Sequence, residues 1–112
     1  MAATYEPDRG DIVWLDFNPQ IGHEQAGRRP AVVLSPKTYN QKTGLAIFCP
    51  ITSKVKAYPF VVALPDNLKV KGVVLSDQVK SFDWKSRNAK FICRLYDEQV
   101  EEVKKKLSVL LE

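Results

Sequence analysis

The chain has 112 residues, enough for one domain with a real hydrophobic core and too few for two. Its composition, 45% hydrophobic and 27% charged, is that of a soluble globular protein, and apolar runs such as Phe60–Leu64 fall far short of the roughly 20 residues that span a bilayer. The net charge of +4 conceals a segregation: residues 25–94 carry 13 Lys and Arg against three acids, while both flanks are net acidic, as expected of a chain whose middle meets a polyanion or an acidic partner.

Residues 10–19 (GDIVWLDFNP) read as a first strand, opened by a turn at Asp8–Gly10 and stopped at Asn18-Pro19. Its alternation places Trp14 in the core. A loop bounded by Gly22 and Gly27 follows, carrying His23, Glu24, Gln25, Arg28 and Arg29 to the edge of a second strand, Pro30–Ser35. Proline is expected only at the start of such a strand. Residues 37–44 are polar and turn-rich, room for one helical turn. Residues 45–53 (LAIFCPITS) are almost continuously apolar and predict a strand buried on both faces. Residues 58–65 form a fourth strand, residues 72–84 begin as a strand and then alternate, and residues 88–95 make a short last one. The ending changes period: Val100, Val103, Leu107, Leu110 and Leu111 recur at helical spacing, with Asp97 as the expected N-cap and Lys104–Lys106 toward the negative end of the dipole. Short strands and one closing helix predict a small, bent sheet or barrel, closure removing exposed strand edges.

No basic-then-apolar leader opens the sequence, so a cytoplasmic protein without a membrane partner is expected. Cys49 and Cys93, in strand-like runs, are expected to be reduced and buried. With a single histidine they do not make a zinc site, and no metal or other cofactor is expected.

The segments GDIVWLDFNP, EQAGRRPAVVLSP, CPITS, YPF and LSDQVKSFDW stand in the order and spacing of a known group. Over nearly its whole length the chain resembles the MazF/PemK family of toxin endoribonucleases. The resemblance implies a fold that is mainly β with a C-terminal helix, a small SH3-like barrel of the MazF/PemK (CcdB-like) type, usually a homodimer. It implies metal-free cutting of single-stranded RNA at short motifs and inhibition by an antitoxin whose acidic tail lies along a basic groove. It also assigns function to Arg29, to Thr52 and to the acidic loop residue Glu24.

The residues can be weighed beside that resemblance. Cutting RNA through its own 2′-OH needs a proton acceptor, a proton donor and stabilisation of the charged phosphorane. One histidine excludes a two-histidine plan, and three scattered acids in the basic middle disfavour a carboxylate-held metal. Arg29 can present a planar fork to a phosphate or pair with Glu24 as a surface arginine. Thr52 can orient a phosphate oxygen or simply bond to backbone. Glu24 can act as base or organise its loop, and His23 is a possible accessory. For RNA binding the candidates are Gln25, Arg28, Lys54, Lys56, Tyr58, Lys80 and Arg87, with Asp77 and Gln78 reading base edges. Trp84, among these cations, can stack on a base or belong to the core. Two rivals remain: a CcdB-type toxin that binds gyrase, and an RNA-binding module that does not cut.

Overall fold

The elements follow the expected order: β1 (Asp11–Asp16), β2 (Arg28–Val33), α1 (Lys37–Thr43), β3 (Leu45–Thr52), β4 (Val61–Ala63), β5 (Val73–Leu75), β6 (Lys80–Asp83), β7 (Lys90–Arg94) and α2 (Asp97–Val109). The computed structural model describes residues 5–18, 27–54 and 57–112. The strands form one 7-stranded sheet in the order β4-β5-β3-β2-β1-β7, with β6 joined to β3. Every pairing is antiparallel. β3 is the hub, because β2 takes one edge while β6 and β5 share the other in succession.

Alternation along β1 sorts the core into two layers. Ile12 joins Val32, Cys49, Ile51, Val74, Val100 and Val103 on one side of the sheet. Val13, Leu15 and Phe17 join Ala31, Val33, Phe48 and Trp84 on the other. Each large apolar side chain buried this way contributes roughly 1.5–3 kcal/mol. α2 supplies the lid of the first layer through Val100 and Val103.

The fold is mainly β with a C-terminal helix, but among the described residues the sheet does not close through hydrogen bonds; β4 and β7 stand at the ends of its path. At the β4 end α2 lies alongside, and Lys106 Nζ donates to the Val61 carbonyl at 2.7 Å, occupying an edge acceptor.

Four local expectations are corrected. β2 begins at Arg28, so both arginines belong to the strand rather than the loop, and Pro30 stands third, opposite Trp14. The polar stretch after Pro36 is a full helix of 7 residues, whose first amide, that of Lys37, is bonded by Asp8 Oδ1 from another segment at 3.0 Å. Tyr96, not Asp97, is the N-cap of α2; no side chain caps that end, and Asp97 and Glu98 act through the dipole of the first turn. The helical stripe is covered only in part: Leu110 and Leu111 are exposed.

Candidate nucleic-acid interface

The register of β2 on β3 directs the two main candidates toward the same end of the strand pair. Ala31 pairs with Pro50, Val32 with Cys49 and Val33 with Phe48. Continued by two residues, this register aligns Arg29 with Thr52, both still within their strands. Thr52 is buried, and its Oγ1 accepts the Lys54 amide at 3.2 Å, so the hydroxyl keeps a proton to donate. Arg29 is half-buried, and desolvation holds its guanidinium below the ordinary arginine value. A guanidinium stays charged at neutral pH all the same, which suits Arg29 to hold a phosphate rather than to take a proton.

What locks Thr52 in place is the chain opposite. Thr52 pairs with Val73 at the start of β5. Just before it, Gly72 adopts φ +123° and lies directly against the Thr52 and Ser53 backbone. That approach needs a residue without a Cβ.

Arg28 and Arg87, both expected to contact RNA, hold the base of the loop. Arg28 Nη1 meets Asp16 Oδ1 at 3.0 Å, and its Nη2 donates to the Asn88 carbonyl at 2.9 Å. Arg87 donates to the carbonyls of Asp16 and Asn18 and lies 4.2 Å from the Phe82 ring centroid. Asn18 Oδ1 in turn accepts the Gly27 amide at 3.0 Å. Asp16 ties the group, its Oδ2 accepting Asn88 Nδ2 at 2.9 Å.

The Asn88 amide first, and Arg28 second, hold the Asp16 carboxyl below its ordinary 3.8. A depressed carboxyl stabilises the fold above its unfolded pKa and loses that contribution as pH falls through the folded one. Carboxyl NMR titration should therefore find Asp16 still ionised below pH 3.8, and Asn88→Ala should return it toward that value. A wild-type Asp16 titrating at 3.8 would contradict this.

A groove of about 420 Å³ opens beside these residues. Trp14, Arg28, Arg29, Pro30, Ile51, Ser53, Lys69, Val70, Lys71 and Ile92 line it. A second hollow of about 400 Å³, lined by Trp14, Arg28 and Lys90, adjoins it. Trp14 is 40% exposed rather than in the core, because the cover that α2 gives Ile12 does not extend to it. Lys69, Lys71 and Lys90 were not among the expected residues; the only sequence signal for the first two is a Lys-Val-Lys run inside the basic middle.

The remaining candidates are dispersed. Tyr58 donates to Asp77 Oδ1 at 2.7 Å, and burial, then that bond, push its phenol up to about 12. Lys80 pairs with Phe48, four residues along β3 from Thr52. Lys54 is exposed just past Thr52, and Gln78 is half-buried in the turn before β6. Trp84 is core: it is 4% exposed, and its indole donates to the Asn40 carbonyl at 3.0 Å, so it is no stacking surface. His23, Glu24, Gln25 and Lys56 lie outside the described residues.

Both cysteines are free thiols. Cys49 is buried, and desolvation pushes it up to about 12, but Cys93 is only half-buried. Among the described residues, no three His, Cys, Asp or Glu gather as metal ligands, and no helix is long and apolar enough to cross a membrane.

An open antiparallel sheet with a terminal helix and a cation-lined groove at one strand end defines a small β domain with a positively charged hollow. Its family is narrower. The model for the PemK-like, MazF-like toxins of type II toxin-antitoxin systems matches residues 8–111, and the chain belongs to that family. It is 47% identical over 111 residues to the endoribonuclease toxin MazF of Escherichia coli K12, covering 99% of each protein. The fold superposes on the crystal structure of MazF from Deinococcus radiodurans with a TM-score of 0.94 at 54% identity, covering 96% of this chain and 98% of that one. A MazE-MazF structure from the same organism gives a TM-score of 0.87, also at 54% identity, with 96% and 97% covered.

Proposed function

We propose that the chain is a metal-independent endoribonuclease that cuts single-stranded RNA at short motifs and acts as the toxin of a type II toxin-antitoxin pair. The observation that carries this reading is the alignment of Arg29 with Thr52, in a family whose relatives include an endoribonuclease at 47% identity. The 2′ oxygen attacks phosphorus while the bond to the 5′ oxygen breaks. The 2′ proton passes to a base, for which Glu24 is the candidate, and the leaving 5′ oxygen takes up a proton, leaving a 2′,3′-cyclic phosphate and a 5′-OH. Arg29 meets the charge that grows on the phosphorane, and the Thr52 hydroxyl donates to a phosphate oxygen or relays a proton.

RNA is held by the cations of the groove and the loop, with Gln25, Arg28, Lys54, Lys56, Tyr58, Lys80, Arg87, Asp77 and Gln78 as contacts and His23 as accessory. The antitoxin is an acidic protein whose charge complements the same groove, in line with the MazE-MazF assembly of a relative. A homodimer belongs to this reading, since Val109, Leu110 and Leu111 are 58%, 46% and 78% exposed and a second copy would cover them. Messenger RNA as substrate places the activity in the cytoplasm.

The test is incubation with a long unstructured RNA in EDTA, followed by mapping of every new end. Wild type should give discrete cuts ending in 2′,3′-cyclic phosphate. Arg29→Ala should slow them by about 10²–10³-fold, the usual loss for one transition-state donor. Intact RNA with the wild type would overturn the reading.

A further inference from the structure

Trp14 occupies a position that neither core packing nor the cleavage chemistry explains. It lies within β1, paired to Pro30 on one side and Lys90 on the other, so its backbone is held by two strands. By alternation it shares the sheet face of Ile12, opposite to the face that Arg29 shares with Leu15. The indole forms a wall common to two hollows of about 420 and 400 Å³. Arg28, Arg29, Lys69, Lys71 and Lys90 line those hollows, and among the described residues no acidic side chain does.

We propose that Trp14 is a stacking platform for one unpaired RNA base outside the cleaved linkage, with Lys69, Lys71 and Lys90 holding the neighbouring phosphates; this rests on the endoribonuclease reading. Every base has a π-face, so an aromatic ring among cations binds a single strand by stacking and charge together. The sheet fixes Trp14 beforehand, so little ordering is lost on contact. A second copy fits the surface poorly, because a twofold contact would set the lysines of one patch, Lys69, Lys71 and Lys90, against their own equivalents. An acidic peptide would satisfy the charges but offers the exposed Trp14 ring no planar base to stack on.

The experiment uses a 2′-O-methyl RNA 12-mer, which cannot be cut through its 2′ oxygen, carrying the motif mapped in the EDTA assay. Trp84 is buried and Trp14 exposed, so RNA should quench the emission of Trp14 alone, and Trp14→Phe should lose that signal while retaining most affinity. Trp14→Ala should weaken binding about tenfold. One abasic position should cost wild type the same tenfold and cost Trp14→Ala nothing more.

Unchanged affinity in Trp14→Ala, with wild-type cleavage intact, would overturn the proposal and leave the endoribonuclease standing. So would a loss with no single-base dependence. Quenching by an acidic Glu/Leu peptide but not by RNA would reassign the surface to a protein. Shielding of Trp14 from acrylamide that is relieved when the protein is diluted to monomer would reassign it to a second copy. Absence of any cleavage by the wild type would overturn both readings at once.

Discussion

Gly72→Ala should destabilise the protein by about 3–5 kcal/mol and displace Thr52 in whatever remains folded. A Cβ at position 72 would stand 2.8 Å from the Thr52 carbonyl carbon, closer still to its oxygen, and 3.0 Å from Ser53 Cα. These are backbone atoms at the end of a paired strand and just past it, and they cannot swing aside as the end of a long side chain can. The backbone at Gly72 also has φ +123°, which L residues rarely adopt, and its carbonyl accepts the Leu64 amide at 3.0 Å. Relief of the clash would therefore pull on β4, β5 and the end of β3 together. Gly27 supplies the control: its φ is +76°, but among the described residues nothing lies within 4 Å of a Cβ there. Gly27→Ala should cost only about 1–2 kcal/mol, the conformational share alone. Urea unfolding of the two variants separates the effects, and equal losses would refute the steric account. Thr52 need not be mutated to be disabled.

The second large effect is expected at Asn40→Ala, again about 3–5 kcal/mol. Asn40 is fully buried in α1. Its Nδ2 donates to the Pro7 carbonyl at 2.9 Å and to the Ser35 carbonyl at 3.0 Å, and its Oδ1 accepts the Ser35 hydroxyl at 2.6 Å. Ser35 Oγ also accepts the Ile47 amide at 2.8 Å, so the network reaches β3. Truncation leaves two buried carbonyls without this donor and a hydroxyl without its acceptor. Each such orphan costs about 1–3 kcal/mol, and the removed volume leaves a cavity as well. Thermal unfolding should show the loss, and hydrogen exchange should show residues 5–10 released first. The Trp84 indole bonds to the Asn40 backbone carbonyl, not its side chain, so emission from the remaining folded protein should not change. A loss below about 1 kcal/mol would mean that water or a rearranged partner satisfies those groups.

Much of this molecule is legible in its amino-acid order. The strand around Trp14, the apolar strand ending at Thr52 and the terminal helix follow from hydrophobic period, and Arg29 with Thr52 follows from the family resemblance. Trp14 itself misled. Alternation shows that Ile12 and Trp14 share a face but cannot show where the helix covering that face stops. Asn40 was invisible for the converse reason: a polar residue among polar neighbours looks solvated until Pro7, Ser35 and Trp84 are found packed around it. Arg28 and Arg87 look like phosphate contacts by charge alone, and only the fold shows that both also bond to Asp16.

By itself, the sequence determined the strand and helix segments, the cationic middle and the family, because these depend on local period, local charge and residue order. The tertiary structure alone decided that the register of β2 on β3 runs toward Arg29 and Thr52, that Gly72 meets the end of β3, and that Trp14 lines hollows shared with Lys69, Lys71 and Lys90. The physical reason is range. Period and propensity act over a turn of helix or a few residues of strand, whereas register and coverage are set where segments distant along the chain exclude water from one another.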